Sequence, residues 1–260
     1  MKTYVNNFTK YKFLLFELVK KNIKLKYRRS YLGILWTLIE PLLTTVVLSL
    51  VFGYLFKEGK GLYFPVYILT GRLLYSFFAD STKAAMKSIR SNAGMIKKVY
   101  VPKYIYPLSS ILSSYITFLL SLIVLIGALI FFHVPITIYM IFAIIPLIIL
   151  LIMALGVGIL LSTMAVFFRD LEYLWGVVLM LIMYCCAIFY RVDYQHNTDL
   201  LHYLKFNPLF SVIYNFRLTV IDGKMLDPKT LLFSSVFSVG TLIFALFIFY
   251  KNQDKFILNI

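Results

Sequence analysis

Acidic side chains are scarce in this 260-residue chain: Asp and Glu number 11 against 26 Lys and Arg, beside three histidines and two cysteines. Each shortage removes a class of chemistry. The sequence has no GxxxxGK[ST] loop to cradle a nucleotide phosphate, no HExxH zinc pair, no GxSxG nucleophile elbow and no two carboxylates at catalytic spacing. Of the acids, only Glu40 and Asp80 fall in or near the ends of apolar segments, and none occupies a mid-segment position where a proton relay would lie. A proton-coupled carrier and an intramembrane hydrolase are both disfavoured. Cys185 and Cys186 are neighbours, which on a helix point about 100° apart and do not pair. His133, His196 and His202 are scattered, so no metal-ligand pattern forms and no metal is expected. The two cysteines read as small apolar residues of a packed helix.

What the chain has in abundance is apolar length. Hydrophobic residues make up 61% and charged residues only 14%, with a mean hydropathy of +0.86. Six stretches stand out: Ile34 to Phe56, Leu62 to Phe78, Tyr104 to Phe132, Ile136 to Phe168, Leu171 to Tyr190 and Leu231 to Tyr250. A bilayer core about 30 Å thick needs roughly 20 helical residues, which these runs reach alone or with their flanks. The expectation is an all-α integral membrane protein with six transmembrane helices.

The distribution of positive charge orients it, because Lys and Arg near span ends are retained in the cytoplasm. Nine basic residues lie before Ile34, and six more (Lys83, Lys87, Arg90, Lys97, Lys98 and Lys103) lie between the second and third runs. Arg169, Lys251 and Lys255 add to the same side, while the opposite side carries Lys57, Lys60, Arg191, Lys205, Arg217, Lys224 and Lys229. Both termini are therefore expected in the cytoplasm. The net charge of +15 has anionic lipid headgroups as its closer partner, and nucleic acid is not expected. The basic start lacks an apolar region followed by a small-residue cleavage site, so the mature chain is expected to begin at or near Met1.

Residues 1–33 read as an amphipathic helix at the cytoplasmic interface, with Tyr11, Leu14, Leu15 and Leu18 on one face, Phe8 and Leu25 near it, and Lys20, Lys21 and Lys24 mostly opposite. Arg72, a few residues from the outer end of the second run, either snorkels to the headgroups or faces a wet, protein-lined cavity. In a cavity it would attract an anionic group such as phosphate. Lys87 to Lys103 mixes Ile89, Met95, Ile96, Val99 and Tyr100 with basic residues and predicts a short surface helix. The fourth run, longer than a vertical crossing requires, predicts a tilt, a bend near Pro146 or a projection into the cytosol, and Gly156 and Gly158 allow a close neighbour. From Arg191 to Thr230 the chain is too apolar for a free loop, yet Asn207-Pro208 interrupts it, which predicts two short helices dipping into the outer leaflet. Aromatics, 24 Phe and 20 Tyr, could stack on the C–H faces of sugar rings; Tyr75, Phe77, Phe78, Tyr184, Phe189 and Tyr190 are placed for this, although each alone also fits an interfacial anchor.

Lys26-Tyr27-Arg28-Arg29-Ser30-Tyr31-Leu32-Gly33-Ile34-Leu35-Trp36 followed by Glu40-Pro41-Leu42, then Phe168-Arg169-Asp170-Leu171, Ile188-Phe189-Tyr190 and Asn207-Pro208-Leu209, occur in one order along nearly the whole chain. In that order and frame the chain resembles the ABC-2 type permeases that export polysaccharides such as O-antigen and teichoic acid. The resemblance implies a single transmembrane domain over residues 1–260: an interface helix to residue 33, a bundle over 34–250 and a cytoplasmic tail over 251–260. It implies a homodimer in the bacterial cytoplasmic membrane, and two copies of a separate subunit that binds ATP and Mg, with no cofactor in this chain. The substrate would be a lipid-linked glycan. Arg90, Met95, Ile96, Lys97, Lys98, Tyr100, Arg169 and Asp170 would couple to the ATPase, and short re-entrant helices around Asn207 and Pro208 would follow span five. Two departures from the family pattern stand out. Cys186-Ala187 replaces a hydroxyl residue and proline, which predicts a straighter end to span five. Arg72 replaces an apolar residue, which makes it a candidate for substrate preference along a path with Tyr75, Phe77, Phe78, Tyr184, Phe189 and Tyr190. The alternatives are a related permease for a drug or small lipid, and a membrane-embedded transferase acting on the glycan lipid, for which no clustered acid or histidine site is present.

Overall fold

The computed structural model describes residues 2–28, 30–55, 63–99, 101–190, 204 and 206–256. Among them every regular element is a helix. Helix α1 (Lys2–Tyr27) is followed by a 3-10 turn (Gly33–Leu35) and α2 (Trp36–Leu55). Then come α3 (Phe64–Ser91), the single-turn α4 (Ala93–Ile96) and α5 (Ile105–Phe131). A 3-10 segment (Ile138–Ala143) leads into α6 (Ile144–Phe167), and α7 (Leu171–Tyr184), α8 (Pro208–Val220) and α9 (Pro228–Asn252) complete the order.

Among the described residues four stretches are long and apolar enough to cross a bilayer: Gly33–Gly53, Ile105–Phe131, Ile138–Phe167 and Pro228–Lys255. The six expected spans are thus four by length and composition. Helix α3 falls outside because Arg72, Asp80, Lys83, Lys87 and Arg90 punctuate it, and α7 because it has 14 residues. Helix α3 runs well past Phe78, the end expected from hydropathy, to Ser91. Beyond Phe78, Ala85, Met86 and Ile89 stay buried while Asp80, Lys83 and Lys87 face outward, so the helix continues with only its outer face changed. It is the axis of the molecule, packed by α2, α5, α6, α7 and α8.

Proline and its capping neighbours set several ends. Pro65 lies in the first turn of α3. Asn207 caps α8 ahead of Pro208, accepting from the Leu209 amide at 3.1 Å, and Asp227 caps α9 ahead of Pro228, accepting from the Lys229 amide at 3.3 Å. The fourth apolar run is a 3-10 segment up to Ala143 that continues as α6 from Ile144, with Pro146 in the first turn of that helix. Helix α6 packs tightly on two sides, as its glycines suggest. A methyl group on Gly156 would lie 2.7 Å from the Leu242 backbone nitrogen of α9, and one on Gly158 would lie 2.8 Å from Ile111 Cδ1 of α5.

Two cores result. The larger one runs through α3, α5, α6 and α8. A second joins Leu15 and Leu18 of α1, Ile89 of α3, Ile96 of α4, Tyr106 of α5 and Phe249 of α9, with Phe256 beyond it. Helix α1 therefore rests on protein through Leu15, Leu18 and Val19, while Phe13, Phe16 and Leu25 are exposed. Its apolar surface is broader than the single stripe expected, and Leu25 lies off the packed side.

Candidate functional site

Three apolar helices turn polar groups toward a common cleft. From α3 come Arg72, Ser76 and Asp80, four residues apart and so on one face. From α2 come Thr37, Glu40 and Thr44, from α5 Ser114, Thr117 and Ser121, and the end of α1 supplies Lys26 and Tyr27 at the rim. The enclosed part holds about 70 Å³. Pro41 explains part of the geometry. Lacking an amide hydrogen, it leaves the Thr37 carbonyl of α2 without its helical donor, and the Ser121 hydroxyl of α5 donates to that carbonyl at 3.1 Å. The helix-breaking residue thus creates the bond that joins α2 to α5.

Charge in the cleft is balanced but loosely paired. Lys26 and Asp80 are 3.9 Å apart with both side chains more than half exposed, while Arg72 and Glu40 form no ion pair among the described residues. Burial pushes the Tyr27 phenol up from its ordinary pKa, opposed by the Lys26 ammonium beside it, so the ring presents a neutral hydroxyl. Arg72 is half-buried and lines the cleft.

The aromatic residues singled out from the sequence are divided. Phe77 lines the cleft and stacks on Phe118 at 5.0 Å. Tyr75 and Phe78 are buried on the α7 side of α3, where the Tyr75 hydroxyl donates to the Leu179 carbonyl at 2.8 Å and Phe78 meets Trp175. Phe189 is buried in a stack on Phe52 at 4.9 Å. Tyr184 is exposed, and the Tyr190 hydroxyl donates to its carbonyl at 3.1 Å.

Helix α7 ends at Tyr184, earlier than the expected Tyr190 and without a proline. The chain turns over residues 185–190 with Ala187 at φ +47°, so the end of this segment is bent, not straighter. Three side chains hold the turn. The Asn207 amide donates to the Cys185 carbonyl at 3.3 Å while its oxygen caps α8. The Tyr67 hydroxyl donates to the carbonyls of Ala187 and Tyr190, each at 3.2 Å. Arg217, 5% exposed, donates to the Ala187 and Tyr67 carbonyls at 2.9 Å each, with its guanidinium 3.5 Å from the Tyr67 ring centre. Gly71 makes room for it, since a methyl group there would lie 2.3 Å from Arg217 Nη2. The sequence reading counted Arg217 only as an outer-side charge. Like Arg72, it is an arginine within an apolar segment, and that is the signal in the sequence that marks it. Of the two short helices expected in this region, the second is α8; residues 191–203, where the first would fall, lie outside the described residues.

At the opposite end Glu172, in the first turn of α7, receives Arg90 Nη1 at 2.9 Å and Lys87 Nζ at 3.3 Å from α3. Arg90 thus has a partner within the chain. Ile96 is buried and Met95 packs beside it, whereas Lys97, Lys98, Arg169 and Asp170 are exposed. Tyr100 lies outside the described residues.

A family model for the ABC-2 type transporter matches residues 14–221. The chain belongs to the ABC-2 type transporter membrane family. It is similar to the O-antigen export system permease protein RfbA of Klebsiella pneumoniae, 30% identical over 216 residues and 82% of each chain. The same-named protein of Myxococcus xanthus is 26% identical over 254 residues, 97% of each chain. The polysialic acid transport protein KpsM of Escherichia coli is 20% identical over 243 residues, 90% of this chain and 91% of that one. As an ABC-2 membrane subunit, the chain is a transport component and not a catalytic one, and its family pairs such subunits with an ATPase.

Proposed function

We propose that this ABC-2 permease exports a lipid-linked cell-surface polysaccharide of the O-antigen or capsular kind across the bacterial cytoplasmic membrane, driven by ATP hydrolysis on a separate subunit. The full-length similarity to polysaccharide export permeases carries the reading. The hydroxyl-lined cleft supports it, because a hydrated glycan needs polar groups along a path through lipid.

Six spans are the topology that suits this role. Helix α3, at 28 residues, is roughly 42 Å long, more than a bilayer core. Because other helices surround it, its polar residues need not face lipid. Helix α7 and the turn after it together supply the fifth crossing. The concentration of Lys and Arg around α1, α4 and the end of α9 supports cytoplasmic termini. A homodimer is proposed from the family, with the exposed apolar face of α7 (Val177, Leu181) free to meet a second copy. Arg72 and Phe77 are the path residues that the cleft favours. Exposed Lys98, Arg169 and Asp170 form the coupling surface, with Met95 and Ile96 as its anchors.

Deleting the chain or its ATP-binding partner should each abolish surface glycan, and ATP hydrolysis should require the partner. ATP hydrolysis by the purified chain alone, or unchanged surface glycan after deletion, would overturn the assignment.

A further inference from the structure

We infer that the cleft between α2, α3 and α5 recognises the hydroxyl groups of a sugar residue of the exported lipid, and not its phosphate. The inference rests on the export reading and assigns a ligand chemistry to one site within it.

The hydrogen-bonding capacity of the cleft is lopsided. The hydroxyls of Ser114 and Thr117 donate to carbonyls of their own helix at 3.1 and 2.9 Å, Ser121 shares its proton between the Thr117 carbonyl at 3.0 Å and the Thr37 carbonyl of α2 at 3.1 Å, and Thr44 donates to the Glu40 carbonyl at 2.8 Å. Their protons are committed, so what they turn toward the cleft is lone pairs. The Glu40 and Asp80 carboxylates are acceptors only. Against these, the donors are Arg72, which makes no hydrogen bond among the described residues, Lys26 at the rim, 3.9 Å from Asp80, and the hydroxyls of Tyr27 and Ser76.

A wall rich in acceptors suits a ligand rich in donors. Each sugar hydroxyl donates one hydrogen bond and accepts others, so a ring can serve Glu40 and Asp80 as donor and Arg72 as acceptor. A phosphate only accepts. It would leave the lone pairs unanswered and meet two carboxylates for the two cations, a field with no net attraction. The polarity also continues beyond the cleft, since Thr45 Oγ1 and Ser49 Oγ of α2 are buried without a hydrogen-bond partner among the described residues. On its other side α2 exposes Leu43, Val46 and Val47. An amphiphile could therefore place its sugar in the cleft and its chain along α2.

The test uses the complex of this chain with its ATPase in nanodiscs, carrying Ser76→Cys and exposed to a water-soluble maleimide. The probes are polyprenyl phosphate and polyprenyl-phosphate hexose. At a concentration of ~10 Kd the hexose lipid should slow labelling about tenfold, because only empty sites react. Bare polyprenyl phosphate should have little effect, and Glu40→Gln or Arg72→Met should remove the protection. Equal protection by both lipids would overturn the inference in favour of an anion site. Protection by neither, in a complex that still exports glycan in cells, would overturn it and leave the export reading intact. Surface glycan independent of this chain would instead sink the export reading. Should Ser76→Cys impair export, Ser114→Cys on the facing helix allows the same measurement.

Discussion

Arg72 and Arg217 show how the same side chain takes opposite roles through its surroundings. Arg217 is stacked on Tyr67, donates to two carbonyls and fills the space that Gly71 leaves, so it holds α8, α3 and the turn after α7 together. Arg72, half-buried in the cleft, holds nothing together. Arg217→Met should therefore lower stability by roughly 2–4 kcal/mol through the loss of two charge-assisted hydrogen bonds. Gly71→Ala should act similarly by displacing the guanidinium, and the double variant should cost less than the two single effects combined, because both break one interaction. Arg72→Met should stay within about 0.5 kcal/mol of the parent. Thermal unfolding in detergent measures all four proteins. Additive effects of Gly71→Ala and Arg217→Met would mean that the glycine serves another contact.

Among the elements, the helix ends show what could be read from sequence and what could not. Asn207-Pro208 marks its helix start openly, because proline tolerates the first turn and asparagine caps it. The end of α7 carries no such mark. Cys185 to Tyr190 would extend a helix by composition, and it turns only because Tyr67, Asn207 and Arg217, all distant in sequence, take its carbonyls. Helix α3 outran its hydropathy because a run of apolar residues reveals lipid contact, whereas this helix is wrapped in protein. In the cleft, Arg72 was legible as an isolated charge, but Ser76, Ser114 and Thr117 were not, since hydroxyls are common in helices and only tertiary packing brings these together. The clamp of Glu172 on Arg90 and Lys87 joins the C-terminal part of α3 to the start of α7 and was equally hidden. Being partly exposed, it should contribute no more than about 1 kcal/mol to stability. Its larger effect should be mechanical: Glu172→Gln should reduce glycan exported per ATP hydrolysed by the reconstituted complex while leaving hydrolysis itself near normal. Unchanged export per ATP would make the clamp a local contact without a part in transmission.

For the whole molecule, the question is how a push at the surface around α4 reaches the long apolar helices. The second core answers it structurally. Ile96 of α4 is buried in a core that also holds residues of α1, α3, α5, α6 and α9, so the short helix is rooted in the core that joins these elements. Lys98 stands on the exposed side of the same segment. The two positions should therefore fail in different ways. Reversing charge with Lys98→Glu should weaken association with an acidic ATPase surface, with an effect that fades at high salt as screening removes the attraction. The isolated chain should unfold as before. Ile96→Ala should leave association largely intact, since it removes no surface charge, but loosen α4 from the core by roughly 2–5 kcal/mol of packing. Hydrolysis would then proceed with little export. Co-purification across a salt series, together with export per ATP, separates the two. If Ile96→Ala lost the partner and Lys98→Glu lost only export, the roles of anchor and contact would be reversed, and the partner would reach the core directly rather than through the exposed side of α4.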